Sequence, residues 1–546
     1  MKSLFSIFLL FYTASASCIQ SKPPPKFSAT YKVSGTLYIP YAELEEPFNA
    51  WYDARAANSR IDYYGEMMRT FQVSSAGRYG TAYKVVPVTE DDRPTATRCL
   101  LAGGTLDSKV APQSVLPDLA DFKCLGDDIV EGVKCEKWRM VTTIGEKVNR
   151  YTMWVRYETD TVVPVKYEMK GYNSLLGSHY DHYFLRYNSF EPTQPAAYIF
   201  NITMNMTCTD YPTPPGASSM ATFNPMREFV QGHSGHVDDA WAKFKVDHGR
   251  LYEGDADRAE HDRRKEVFRQ NLRFIHSKNR ANLGFQMAVN HLADRTEDEL
   301  RALRGRRHAP GTTNRGLPQP PPQANLPVPD TMDWRLYGAV TPVKDQSVCG
   351  SCWSFGTTGA IEGQYFVKHK KLLRLSQQAL IDCSWGEGNN GCDGGEDFRA
   401  YEFIMKKGGL PTEADYGPYY GADGYCHVDE TPLQAPIKGF VNVTSGDENA
   451  LRTAIFLNGP VSISIDASVK SFSFYSNGVY YDPACKNKID ELDHAVLAVG
   501  YGRMNGQNYW LVKNSWSNYW GNDGYIIMSS KDNNCGVMTA PTYVLM

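Results

Sequence analysis

At 546 residues the chain is too long for one hydrophobic core, and roughly two to four domains is the expectation. Its formal net charge of −4 argues against nucleic acid as the main partner, and no apolar run after the N-terminal one is long enough to span a bilayer.

The N-terminus has Lys2, an apolar run from Leu4 to Tyr12, then Ala14-Ser15-Ala16-Ser17, which reads as a secretory signal (residues 1–17) cleaved near Ala16 or Ser17. Cys18 directly after it hints at lipid attachment, but the residues before it fit a lipobox poorly. A secretory route permits disulfides, and the sequons at Asn201, Asn205 and Asn442 are candidate glycosylation sites. From Lys26 to Asp210 apolar, aromatic and polar residues alternate in short runs such as Ala29–Pro40, Lys137–Thr143, Tyr151–Tyr157 and Val163–Tyr172. Gly, Asp and Asn punctuate these runs, so residues 18–210 are expected to form a mostly antiparallel β domain. Its many tyrosines either cover a sheet face or line a ligand cavity. Cys99, Cys124, Cys135 and Cys208 can make two bridges, with Cys124–Cys135 as a local staple. No catalytic constellation falls in this region.

Residues 211–235, rich in Pro, Gly and Ser up to Pro225, read as a linker. Beyond Trp241-Ala242-Lys243-Phe244-Lys245 comes a long charged helix. In it Glu260, Arg264, Phe268, Asn271, Ile275 and Asn279 recur at spacings of four, four, three, four and four, and so share one face. Residues 301–327 contain Arg304-Gly305-Arg306-Arg307 and a proline-rich stretch. The basic run is either a solvated charge cluster or a processing site in an exposed loop.

The stretch Gln346 to Phe355 holds Cys349-Gly350-Ser351-Cys352-Trp353 and leads into a helix, striped by Trp353, Ala360 and Val367, that runs to about Lys370. Cys352 would sit near a helix N-terminus, where the partial positive charge favours thiolate, the nucleophilic form. Taken alone, Cys-x-x-Cys could equally be redox-active or bind metal. Downstream, His494 opens an apolar strand within Leu492 to Gly502, and Asn514 follows a second strand, Tyr509 to Val512. A lone strand histidine is more often a satisfied core residue than a catalyst. A thiolate, however, needs a base, and the base an orienting group, and Cys352, His494 and Asn514 supply all three in order.

From about Trp241 to the C-terminus the chain thereby resembles the papain family of cysteine peptidases. The resemblance implies that Cys352 attacks the scissile carbonyl and His494 carries the proton to the leaving amine. Asn514 would hold the imidazole under the cover of Trp516, and Gln346 would donate to the oxyanion. It implies the disulfides Cys349–Cys392, Cys383–Cys426 and Cys485–Cys535, leaving Cys352 free. The helix residues Glu260 to Asn279 reproduce the inhibitory motif of cathepsin L-like propeptides, so residues 236–300 would be the chain's own inhibitor. The second motif, Ala288-x-Asn290-x-Leu292-x-Asp294, keeps the Asn and Asp but replaces the expected Gly and Phe. Residues 328–546 would form the two-lobed α+β catalytic domain. There Gly394 and Gly395 form the cleft wall, Glu396 and Asp397 an exposed S2 rim, Ser464, Leu492 and Ala495 the S2 walls, and Ala540 its base.

The segment between Cys383 and Cys392 is too short for the occluding insertion of dipeptidyl-peptidase relatives, so an endopeptidase acting on proteins or peptides is implied. The extra β domain is similar to that of the insect twenty-six/twenty-nine kilodalton two-chain proteinases. That likeness implies cleavage into two chains not linked by a disulfide, which either stay associated through a non-covalent interface or separate after processing; the expected location is the lysosome or outside the cell. No metal or organic cofactor is implied. The alternative is a β-rich ligand-binding protein whose peptidase part serves processing or is inactive.

Overall fold

The computed structural model describes residues 22–89, 95–159, 161–202, 206–211, 223–232, 234–252, 257–309, 311, 314–321 and 326–546. The signal segment, Cys18 and Asn205 lie outside the described residues. The chain divides into two compact units. The first comprises residues up to Val86, Arg98–Val246 and Arg250–Glu266, and the second Pro87–Thr97, Asp247–Gly249 and Val267–Met546.

The first unit holds twelve strands: β1 (Thr30–Ile39), β2 (Leu44–Asp53), β3 (Asn58–Tyr63), β4 (Met68–Val73), β5 (Thr81–Val88), β6 (Ala96–Gly103), β7 (Lys123–Val130), β8 (Val133–Ile144), β9 (Lys147–Glu158), β10 (Thr161–Asn173), β11 (Ser178–Glu191) and β12 (Cys208–Asp210). They form one sheet in the order β12-β6-β5-β4-β3-β2-β1-β11-β10-β9-β8-β7. β1 to β5 and β7 to β11 are antiparallel meanders, and β1 pairs antiparallel with β11 to join them. The alternation in the sequence becomes alternation of faces: Val33, Leu37, Trp138 and Leu185 are buried while their neighbours along each strand are more open, whereas β9 is covered on both faces from Thr152 to Val155. Tyrosines fill the covered side, with the Tyr187 hydroxyl donating to Val115 O at 2.8 Å and that of Tyr183 to Phe229 O at 2.9 Å. The expected linker is partly structured. Its described end folds as α1 (Met226–Gln231), with Phe223 and Met226 buried.

Cys99 and Cys208 pair, joining β6 to β12 where they stand opposite each other. The Cys124–Cys135 staple does not form. Cys135 is a free buried thiol, and Cys124 is disulfide-bonded elsewhere. Register is the reason: β7 and β8 set Cys124 opposite Trp138 and Cys135 opposite Asp128. That offset separates the two cysteines by about 10 Å along the ribbon, beyond the ~7 Å a bridge can span. Among the sequons, Asn201 is exposed. Asn442 is half-buried, its amide nitrogen donating to Asn314 Oδ1 at 3.2 Å and Gly316 O at 3.3 Å.

α2 (Gly235–Asp247) and α3 (Arg258–Arg280) carry the propeptide signature. In the second unit, β13 (Phe285–Met287), β14 (Leu317–Pro318), β15 (Met332–Asp333), β16 (Gly439–Asn442), β17 (Val461–Ile465), β18 (Tyr475–Tyr480), β19 (His494–Met504), β20 (Gln507–Lys513), β21 (Tyr525–Ser529) and β22 (Thr542–Leu545) form a sheet in the order β13-β18-β21-β20-β19-β17-β22-β16-β14, with β15 on β19. Facing it is a helical lobe built on α5 (Cys352–His369), with α6 (Gln377–Cys383) and α7 (Asp397–Lys407); α4 (Glu297–Ala302) precedes them in the propeptide. Glycines let α5 lie close on the sheet. A Cβ at Gly356 would sit 2.8 Å from Ser462 Oγ, and one at Gly359 2.6 Å from Leu497 Cδ2. Cys349–Cys392, Cys383–Cys426 and Cys485–Cys535 are all formed, and Cys352 remains free. Among the described residues no helix is long and apolar enough to cross a membrane.

Candidate active site

Three elements deliver the expected residues to one place. Cys352 is the first residue of α5, His494 the first of β19, and Asn514 the residue after β20. β19 and β20 pair antiparallel, so the two residues fall at the same end of the ribbon. His494 Nε2 lies 2.8 Å from Asn514 Oδ1, which also accepts the Ser515 N–H at 2.8 Å. An oxygen that accepts a backbone N–H is fixed as the acceptor, so His494 Nε2 carries the proton and Nδ1 the lone pair. Nδ1 is buried without a hydrogen-bond partner among the described residues. The Trp516 ring lies over the imidazole, 4.8 Å between centroids, and is held edge-on by Phe472 and Trp520. The Ala495 N–H, one residue past His494, donates to Cys352 Sγ at 3.4 Å.

Gln346 is locked by its own neighbours: Ser515 Oγ donates to its Oε1 at 2.7 Å, and its Nε2 donates to Cys349 O at 2.8 Å. The same Nε2 donates to Leu303 O at 2.9 Å. Residues 303–307 lie along the cleft. A Cβ on Gly305 would fall 1.7 Å from Gly350 O, so only glycine fits there. Gly395 N donates to Gly305 O at 2.9 Å and Arg307 N to Gly395 O at 3.1 Å, a parallel bridge centred on Arg306 and Gly395. Arg304 and Arg306 are buried. Arg304 and Arg306 are thus not part of a solvated cluster, because the cleft supplies their partners, whereas Arg307 is exposed. Arg304 pairs with Asp493 at 3.0 Å and Glu297 at 2.8 Å. Arg306 Nη1 donates to Ile489 O at 2.7 Å and Leu492 O at 2.9 Å, while Nη2 reaches Glu396 Oε1 at 3.3 Å.

The Arg306 side chain enters a cavity of about 260 Å³ lined by Glu396, Asp397, Ser464 and Ala540. Leu492 contributes its carbonyl, and Ala495 instead packs against α5 at Gly356. The rim carboxylates are not exposed. Glu396 is 3% exposed and shared by Arg306 and Arg399, and burial pushes its carboxyl up while Arg306 pulls it back. Asp397 is saturated by Ser462 Oγ and Thr542 Oγ1, each at 2.7 Å. At Gly394 (φ +118°) a Cβ would strike Gly305 O at 2.5 Å.

Electrostatics under this cover differ from the expectation of a helix-stabilised thiolate. Burial pushes the Cys352 thiol up to about 11, against the opposing N–H groups of Ala495 and Gly305. Burial likewise pushes His494 down to about 4. A helix terminus contributes about 0.3–1 kcal/mol, which does not match the cost of charging a sulfur with no water around it. Burial therefore favours the neutral form of both groups.

The propeptide motif residues bond mostly within the propeptide itself. Asn271 Nδ2 donates to Ala293 O at 2.9 Å, and Asn279 exchanges two bonds with Met287. Glu260 pairs with Arg264 at 2.6 Å, and Phe268 and Ile275 are buried. In the second motif Asn290 Nδ2 donates to Ser473 O at 2.9 Å, and Asp294 is buried. β13 adds to the edge of β18. Sequence reading missed two residues: Ser515, which orients Gln346, and Asp493, whose carboxyl burial pushes up to about 6. Each sits beside a residue already singled out, and neither stands in a recognisable spacing.

Residues 328–545 match the model of the papain family cysteine proteases, and residues 241–300 that of the cathepsin propeptide inhibitor domain. The chain is 45% identical to a cathepsin L-like peptidase of Aedes aegypti over 329 residues, 57% of this chain and 94% of that protein. It is 44% identical to digestive cysteine proteinase 2 of Homarus americanus, over 56% of this chain and 94% of the relative. Among solved structures, digestive procathepsin L 3 of the Tenebrio molitor larval midgut aligns with a TM-score of 0.51 at 37% identity, over 57% of this chain and 99% of its own.

Proposed function

The chain belongs to the papain family of cysteine proteases, and from that premise we propose that it is a secretory-route endopeptidase precursor working through Cys352, His494, Asn514 and Gln346. The observation that carries this reading is the seating of Leu303–Arg307. The segment puts a carbonyl on Gln346 Nε2 and closes water off from the sulfur. It pairs with Gly395 in the parallel sense, so its peptide units run opposite to those of a strand that enters antiparallel for cleavage.

Removal of residues 303–307 restores water to Cys352 and His494. With Nε2–H held by Asn514, the lone pair on Nδ1 takes the thiol proton and leaves a thiolate–imidazolium pair. The thiolate attacks the substrate carbonyl carbon, and the oxyanion takes the two donors the site keeps for it, Gln346 Nε2 and the Cys352 N–H at the start of α5. His494 returns its proton to the departing amine. It then deprotonates the water that cleaves the thioester, regenerating the thiol. For specificity, the Arg306 seat supports acceptance of a basic P2 side chain, read by Glu396 and two carbonyls rather than by Asp397.

The test is turnover of a fluorogenic peptide by the activated protein. Cys352→Ala is expected to abolish it, His494→Ala to come close, and Asn514→Ala to leave more activity than either. Undiminished turnover by Cys352→Ala would remove the mechanism.

A further inference from the structure

In the first unit, the face of the N-terminal sheet opposite Trp138, Met153 and Leu185 carries an ordered array of cations. Strand register places Lys137, Lys166 and Arg186 in one row across β8, β10 and β11, Arg139 in the next, and Arg150 opposite Lys170 in a third. Two residues along a strand are about 7 Å and adjacent strands about 4.8 Å, so the array covers roughly 14 Å by 14 Å. Three carboxylates answer these six cations. Glu168 is shared by Lys166 at 3.0 Å and Lys170 at 3.5 Å, Asp128 holds Lys137 at 2.8 Å, and Glu131 holds Arg186 at 2.7 Å. Three positive charges are left over on a chain whose net charge is −4.

The surplus is localised. Arg139 and Arg150 have no carboxylate within ion-pair distance among the described residues; Arg139 spends its Nε on Thr152 Oγ1 at 3.2 Å. These two, with Lys137, Lys170 and His179, surround a hollow of about 230 Å³ floored by Thr152 and Trp154, and its one carboxylate, Glu168, is the one already shared by Lys166 and Lys170. Arg150 directly opposite Lys170 is a like-charge cross-strand pair, which costs a sheet stability unless an anion lies between. The aromatic rings of this face are not bare. Lys137 and Lys166 stand 5.5 and 5.2 Å from the Trp154 ring, and Lys166 4.5 Å from Phe184. Capped rings give no platform for stacking nucleic-acid bases, so the face offers charge in a fixed grid.

We propose that this grid, centred on the hollow between Arg139 and Arg150, is a binding site for a sulfated polysaccharide. Sulfate groups along such a chain meet fixed guanidinium and ammonium donors and displace counterions without demanding stacking. This inference is independent of the peptidase chemistry.

The experiment uses the purified full-length precursor and a fluorescent, size-defined heparin octasaccharide, with binding read by anisotropy across a salt series. Arg139→Ser with Arg150→Ser is expected to weaken binding at least tenfold and to flatten the log–log salt slope by roughly two. Arg139→Lys with Arg150→Lys should retain most of the binding. Lys134→Ser, an exposed cation on the opposite side of β8, should leave it unchanged. Equal binding by the double serine variant overturns the proposal, as does loss in the lysine pair equal to that in the serine pair. Single-stranded DNA or phosphatidylserine vesicles bound as tightly as the octasaccharide would also overturn it, since the face would then be a general anionic surface.

Discussion

Replacing Glu396 by glutamine should weaken the acceptance of a P2 arginine proposed above for the cavity that seats Arg306. The precursor supplies the reference geometry: the Arg306 guanidinium donates to two carbonyls and reaches a carboxylate that is 3% exposed. Two unit charges about 4 Å apart attract by about 4 kcal/mol at an effective dielectric of 20. Desolvating the guanidinium takes back part of that, and Arg399, 3.5 Å from the same carboxylate, already neutralises some of it. A net loss of about 1.5–3 kcal/mol is expected for a P2 arginine substrate, a drop of roughly 10–150-fold in kcat/KM. A P2 leucine substrate, which makes no ion pair, should change less than about threefold. The assay compares kcat/KM for paired fluorogenic substrates differing only at P2, using active-site-titrated mature enzyme. Asp397→Asn is the internal control, because both its hydroxyl donors come from the protein itself. An Arg-to-Leu preference unmoved by Glu396→Gln, or moved more by Asp397→Asn, would refute the reasoning.

Gly305→Ala should weaken inhibition by the propeptide tenfold or more, since its Cβ would overlap the Gly350 carbonyl; inhibition constants of the two propeptides against mature enzyme check this. In the pH dependence of release the cleft group that titrates is Asp493, since His494 takes its proton from Cys352 and needs none from solvent. Asp493, held at about 6 while covered against an ordinary carboxylate value of about 3.8, favours the covered state as pH falls through that interval. Asp493→Asn should therefore speed autoprocessing of purified precursor more at about pH 4.5 than at about pH 7, read across a pH series. Finally, all seven cysteines after residue 328 are accounted for within the catalytic unit, by three bridges and Cys352. Processed protein on a denaturing gel without reductant should therefore give separate bands, and a single band that splits only with thiol would contradict this pairing.

What the sequence determined by itself was whatever short-range pattern encodes. Alternation specified the strands of the N-terminal sheet, a four-four-three repeat put Glu260 to Asn279 on one helical face, and the motifs around Cys352, His494 and Asn514 identified the family and its bridges. Tertiary structure decided what depends on residues distant in the chain. Arg304-Gly305-Arg306 reads as an exposed basic loop until the cleft brings Asp493, Glu396 and the carbonyls of Ile489 and Leu492 around it. Cys124 and Cys135 look like a staple by proximity in sequence, yet a three-residue register offset between β7 and β8 keeps them apart. Cys352 begins a helix as expected, but its charge state follows from burial under a segment some fifty residues earlier, and desolvation outweighs a helix terminus. The cationic grid, likewise, is scattered over β8 to β11 until strand pairing aligns it, because cross-strand neighbours are fixed by register rather than by spacing along the chain.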